Sequence, residues 1–179
     1  PYFDSMKASD VSGNIGLDYQ IHDEMLAYVK VSKGVKSGGY GGGLAFQVEE
    51  IEPFDDEQLI DYEAGLKSEL FERRVRLNLA AFYYDYSDLQ VFTLVNRGGV
   101  PVQALTNASD ARVYGMEAEL QARPMSGLDV SLGLGVLRSE YRNFIAESGQ
   151  DYSGNSLPAA PELSFNGAAV YEWPVEGIG

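Results

Sequence analysis

A chain of 179 residues with 45% hydrophobic side chains has apolar material for one domain of ordinary size, but 27 acidic against 13 basic residues, a net charge of −14, exclude the basic face that phosphate-backbone recognition requires. The absence of cysteine removes disulfides, thiolate nucleophiles and cysteine-ligated zinc together. No run approaches the roughly 18 consecutive apolar residues of a transmembrane helix, so a membrane role has to come through strands or a surface contact.

Residues 1–13 carry scattered Ser, Asp and Gly without a period and read as loop. Pro1 to Asp10 shows neither the basic nor the apolar region of a signal peptide, so the chain is expected to be mature or an internal piece. The first strand follows, with Ile15, Leu17, Tyr19 and Ile21 alternating with Asn14, Gly16, Asp18 and Gln20 before the polar turn His22-Asp23-Glu24. A second strand is expected at Met25–Lys33, with Ala27, Val29 and Val31 on one side and Tyr28, Lys30 and Ser32 on the other. From Gly34 to about Glu57 the chain reads as an irregular loop, with the cluster Gly38-Gly39-Tyr40-Gly41-Gly42-Gly43 and the acidic run Asp55-Asp56-Glu57.

The stretch from Asp61 to Val91 holds the central hairpin. Its first arm sets Tyr62, Ala64, Leu66 and Leu70 against Glu63, Lys67 and Glu69, and its second sets Val75, Leu77, Leu79, Ala81 and Tyr83 against Arg74, Arg76 and Asn78, across a turn at 71–73. A second long loop is expected from Asn96 to Asp110, around Gly98-Gly99 and Pro101. The third hairpin has the cleanest alternation: Tyr114, Met116, Ala118, Leu120 and Ala122, the turn Pro124-Met125-Ser126-Gly127, then Leu128, Val130, Leu132, Leu134 and Val136. A third loop from about Arg142 to Pro161 precedes a last strand, Leu163–Trp173.

The pattern is an all-β, antiparallel up-and-down meander of about seven long strands, each able to cross a bilayer core, which takes about 9–11 tilted residues. Tight turns alternate with long loops, so all turns fall at one end and all loops at the other, as in an outer-membrane barrel. Tyr19, Tyr83, Tyr114, Tyr171 and Trp173 lie towards the ends of apolar parities, where an interfacial girdle sits. His22, the only histidine, lies in a turn without metal-site or catalytic partners, and no Gly-Lys-Ser/Thr ends the glycine cluster, so neither metal, phosphate cradle, cofactor nor catalytic residue is read here. Glu117 and Glu119 share a strand face and point in parallel, so they form no converging acid/base pair.

YVKVSKGVKSGGY (28–40), YEAGLKSEL (62–70), RLNLAAFYYDYSDLQV (76–91), GMEAEL (115–120) and LPAAPE (157–162), in this order and spacing, resemble the barrel region of TonB-dependent outer-membrane receptors. The resemblance spans about 130 residues and implies a barrel of about 22 strands closed by an N-terminal plug, importing a scarce substrate such as an iron chelate, a cobalamin or an oligosaccharide with energy passed by TonB. Residues 1–179 are then expected to be part of such a barrel in outer-membrane lipid, without the plug, the TonB-binding segment or the remaining strands, and unable to transport alone.

The polar parity Glu63, Lys67, Glu69, Arg74, Arg76, Glu117, Glu119 and Arg123 would face the plug, as a hydrated wall. Tyr84 and Tyr86, with Tyr40 and Tyr141, are candidates to line a substrate vestibule. Two other readings are a soluble all-β module that recognises carbohydrate or another ligand, with short strands in two packed sheets, and the wall of a passive porin that needs neither plug nor TonB.

Overall fold

The computed structural model describes residues 10–41, 51–107, 110–146 and 148–174. Eleven strands form: β1 (Gly13–His22), β2 (Met25–Lys36), β3 (Gly39–Tyr40), β4 (Pro53–Phe54), β5 (Glu57–Leu70), β6 (Val75–Ser87), β7 (Gln90–Arg97), β8 (Val100–Asn107), β9 (Ala111–Met125), β10 (Leu128–Tyr141) and β11 (Leu163–Tyr171). Seven of them pair antiparallel in one sheet, in the order β1-β2-β5-β6-β9-β10-β11. With the small hairpins β3–β4 and β7–β8 set aside, the order is that of the chain, an up-and-down meander as the alternation predicts. No helix occurs among the described residues.

Three short turns, at 23–24, 71–74 and 126–127, lie at one end of the sheet, and the connections 37–56, 88–110 and 142–162 lie at the other. Gly127 has φ 80°, the left-handed geometry that glycine adopts without steric cost. The turn after β5 does the same without glycine: Phe71, Glu72 and Arg73 have φ 55°, 55° and 66°, and the Arg74 amide donates to the Phe71 carbonyl at 3.1 Å. Arg74 therefore sits in the turn, one residue before β6, and not on the strand that its parity suggested.

The expected loop from Asn96 to Asp110 is largely strand. Asn96 and Arg97 end β7, and β7 returns as β8 through Gly98 (φ 57°) and Gly99 (φ 86°), with Asn96 Oδ1 accepting from the Gly99 amide at 2.9 Å. Two central residues with positive φ are what a two-residue hairpin turn needs, so Gly-Gly here closes a hairpin. The loop expected from Gly34 is also shorter: β2 runs to Lys36, and β3 pairs with β4. Gly42 and Gly43 of the glycine cluster, and most of the expected N-terminal loop, lie outside the described residues. At the far end β11 stops at Tyr171, and Trp173 follows the strand, its ring stacked on Tyr171 at 5.9 Å.

The register carries one apolar row after another across the whole sheet. Leu17, Val29, Ala64, Ala81, Met116, Val136 and Leu163 are partners in sequence from β1 to β11. One step towards the turns, so are Tyr19, Ala27, Leu66, Leu79, Ala118, Leu134 and Phe165. Among the described residues nothing covers this face: Leu17 is 69% exposed, Met116 61% and Phe165 70%. The buried apolar residues, Val95, Val102, Ala104, Ala111, Val113 and Tyr141, all sit at the loop end. A soluble sandwich places its core between two sheets; this sheet has its apolar side open.

Candidate functional site

Alternation gives the sheet two faces, and the register fixes what each row contains. On the apolar face, the row one step from the Leu17–Leu163 row towards the loops reads Ile15, Val31, Tyr62, Tyr83, Tyr114, Arg138. Its tyrosines touch in series, Tyr62 to Tyr83 at 6.4 Å and Tyr83 to Tyr114 at 6.3 Å between ring centroids. The next row outwards turns charged: Lys33, Ile60, Asp85, Arg112, Glu140. Arg112 pairs with Glu140 at 2.6 Å, and Asp85 with Arg142 at 2.8 Å. Towards the turns, Tyr171 and Trp173 close the band. Apolar rows between aromatic belts, with ion pairs beyond, match the sequence of environments across a membrane interface. Tyr114 through Ala122 has the length, about 9–11 tilted residues, that crosses a bilayer core.

The opposite face is polar. Tyr28 donates to Glu63 at 2.6 Å, and Lys30 bridges Glu63 at 2.8 Å and Asp61 at 3.3 Å. The Lys67 ammonium lies 5.2 Å from the Tyr28 ring centroid, and the Tyr28 ring covers Gly65, whose missing side chain leaves the space. Nearer the turns Glu69 bridges Arg76 at 3.0 Å and Arg73 at 3.2 Å, and Arg123 pairs with Asp129 at 2.8 Å. Glu117 and Glu119 have no ion pair among the described residues, and Asp61 Oδ1 is buried without a hydrogen bond. Glu63, Lys67, Glu117 and Glu119, with Tyr28 and Tyr84, line a groove of about 340 Å³. Of the charged residues that the sequence placed on this face, only Arg74 lies off the strands. Lys30 and Asp61, which complete the cluster, were not singled out; their pairing depends on the β2–β5 register, which parity alone does not supply.

The four candidate tyrosines separate. Tyr84 stacks on Phe82 at 4.8 Å on the polar face, at the edge of the groove. Tyr86 and Tyr141 pack instead into a cluster with Ala111, Leu89, Val91, Phe144 and Leu157; Tyr141 is only 7% exposed. Tyr40 lies in β3, opposite Pro53 of β4. The connection 142–162 folds back onto this cluster as a chain of rings, Tyr141 to Phe144 at 5.0 Å and Phe144 to Tyr152 at 5.4 Å. A second tie holds the other two connections together: the 8%-exposed Gln90 donates from Nε2 to the carbonyls of Lys36, Ser37 and Asp55, and the Asn107 amide donates to Asp55 and Asp88. Sequence reading missed Gln90 and Asn107 because nothing local marks a side chain that bridges two loops.

A long-stranded sheet with a girdled apolar face, a charged inner face and all its elaborated connections at one end is the wall of a transmembrane β-barrel. The profile of the family described as TonB dependent receptor-like, beta-barrel matches residues 2–179, and the chain belongs to that family, whose barrels lie in the bacterial outer membrane. It is 32% identical over 167 residues to the pesticin receptor of Yersinia pestis, covering 90% of this chain, and 31% identical to that of Yersinia enterocolitica. The chain spans 23% of the length of each of these relatives. Among solved structures it resembles the ferric yersiniabactin uptake receptor FyuA from Yersinia pestis, with a TM-score of 0.69 and 26% identity over 88% of this chain and 22% of the receptor. The siderophore receptor PiuA from Acinetobacter baumannii shares the fold at a TM-score of 0.67 and 16% identity, over 89% of this chain and 23% of the receptor. The family is one of receptors and transporters.

Proposed function

We propose that the chain forms an arc of the wall of an energy-coupled outer-membrane importer, whose substrate is an iron chelate captured at the loop end. In this reading the sheet continues from the edges of β1 and β11 into a closed barrel of about 22 strands, because an open edge in lipid leaves backbone groups that each cost several kcal/mol. The observation that carries the proposal is the coincidence of the family match over residues 2–179 with a sheet apolar on one face and charged on the other. The ferric yersiniabactin uptake receptor, 26% identical to this chain, lends the iron-chelate class to it.

The polar face faces the plug of the parent chain. Its acidic groups support this: Glu117 and Glu119, without an ion pair among the described residues, and Asp61 Oδ1, buried without a hydrogen bond, are an inner layer awaiting donors, which a second layer within the barrel supplies. TonB acts through the parent's N-terminal region to remodel that plug. Of the vestibule candidates, Tyr84 offers the most available ring, since Tyr86 and Tyr141 are engaged in holding the connection 142–162; Tyr40 lies in the β2–β5 connection, opposite Pro53.

The test is uptake of radioiron as a ferric siderophore by cells carrying the full-length gene, with and without TonB. TonB-dependent uptake that disappears on deletion of the gene is the expected result; uptake that persists without TonB would favour a passive porin, and no uptake of any chelate would remove the iron assignment. Tyr84→Ala is expected to weaken chelate binding about 2–10-fold, the range of one lost aromatic contact. Unchanged binding would take Tyr84 out of the vestibule.

A further inference from the structure

Among the described residues, the apolar face carries one cation that the ion pairs do not account for. Arg138 ends the tyrosine row beside Tyr114 and is exposed, whereas Arg112, one row outwards, and Arg142, just past the end of β10, are already neutralised by Glu140 and Asp85. No ion pair or hydrogen bond of the Arg138 side chain occurs among the described residues. A lone guanidinium on the lipid side of a barrel wall, at the level of the aromatic belt, stands where headgroups begin.

Beneath it the surface is notched. β11 starts at Leu163, opposite Val136, so the outer end of β10 is paired with β9 on one side and has no strand on the other; there the Leu137 amide donates to the Glu162 carbonyl at 3.0 Å. The notch, about 310 Å³, is lined by Tyr114, Met116, Val136, Arg138 and, from the opposite parity, Glu162. Met116 is 61% exposed and Val136 43% exposed, so the floor is apolar and open to lipid, while the charge sits at its outer lip.

We propose that this notch is a binding site for a phosphate-bearing lipid of the outer leaflet, with an acyl chain along Met116 and Val136 and the phosphate on the Arg138 guanidinium. Charge complementarity selects the occupant: a zwitterionic headgroup brings its own cation to the same place, whereas a phosphomonoester offers the bidentate acceptor that a guanidinium fork matches. Tyr114 closes the side of the site, and its stacking on Tyr83 holds that ring in the belt. The site lies on the outside of the wall, so it is independent of what the lumen admits.

The experiment uses the full-length receptor reconstituted in phosphatidylcholine nanodiscs containing a minor fraction of phosphatidic acid, released into detergent and weighed by native mass spectrometry. Wild type is expected to retain phosphatidic acid in preference to phosphatidylcholine. Arg138→Gln is expected to lower that retention about tenfold, the loss of one charge-assisted contact. Arg138→Lys should restore part of the retention, and Arg123→Gln, at the turn end of the opposite face, should leave it at the wild-type level. Equal retention of the two lipids by wild type, or full retention by Arg138→Gln, would overturn the proposal. Uptake of iron in the same variants reports separately on transport.

Discussion

Gly65 shows how a single missing side chain organises the polar face. A Cβ there would lie against the Tyr28 ring, and that ring in turn holds Glu63 and faces Lys67. Gly65→Ala is expected to cost about 1–3 kcal/mol, as overpacking does, in urea unfolding of the barrel from lipid vesicles, because the ring must leave its seat. Gly34→Ala, in β2 with open space around the position, should change stability by less than about 0.5 kcal/mol; equal effects at the two glycines would show that the Tyr28 contact carries no weight. From sequence, Gly65 is only a gap in an alternating strand, and the ring that fills it comes from another strand. Arg74 illustrates the opposite limit: parity extended the strand by one residue because a left-handed turn built from Phe71, Glu72 and Arg73 leaves no glycine as a marker.

At the scale of elements, the seven wall strands were legible because each keeps one apolar parity, and burial in lipid enforces a period of two as strictly as a core does. Leu132 and Ser131, adjacent in β10, test that assignment. Leu132→Arg on the apolar face is expected to cost about 2–4 kcal/mol in folding into a bilayer, and Ser131→Arg on the polar face much less. Similar costs would mean that the faces are misassigned. The β7–β8 hairpin is not legible in the same way: Gly98-Gly99 and Pro101 look like loop punctuation, although a Gly-Gly pair between apolar runs also fits a two-residue hairpin. The connection 142–162 hides its order differently, in rings that meet only once the chain folds back.

Within that connection Ile145 bridges Asp151, the Tyr152 amide donates to Phe144 at 2.7 Å, and Asp151 Oδ1 accepts from the Ser153 amide at 2.8 Å. Hydrogen bonds from the Ser153 hydroxyl and then its amide hold the Asp151 carboxyl below the ordinary aspartate value of 3.8. A depressed folded-state pKa means that this contribution is fully present above that value and is lost as pH falls through the lowered one. Amide exchange at Tyr152 should therefore lose protection only in acid below about pH 4, corrected for the intrinsic rate, and Asp151→Asn should flatten that dependence. Pronounced loss already at neutral pH in the wild type would contradict the assignment.

The whole molecule is organised by one division, an apolar outside and a charged inside, with short turns at one end and tied, elaborated connections at the other. Sequence alone carried that division and the family resemblance a long way; it could not carry the register that lines up Tyr62, Tyr83 and Tyr114 into a belt, nor the loop ties of Gln90 and Asn107. In an outer-membrane barrel with this asymmetry the connections are expected outside the cell and the turns on the periplasmic side. These 179 residues hold no cysteine, so in a parent whose other cysteines, where present, are replaced by serine, single introduced thiols report cleanly on them. Ser156→Cys and Ser126→Cys, each in the full-length receptor, should be exposed to a membrane-impermeant maleimide on intact cells in one case only: Ser156→Cys labels at once, and Ser126→Cys labels only after the outer membrane is opened. Labelling of Ser126→Cys on intact cells, with Ser156→Cys protected until permeabilisation, would contradict the account.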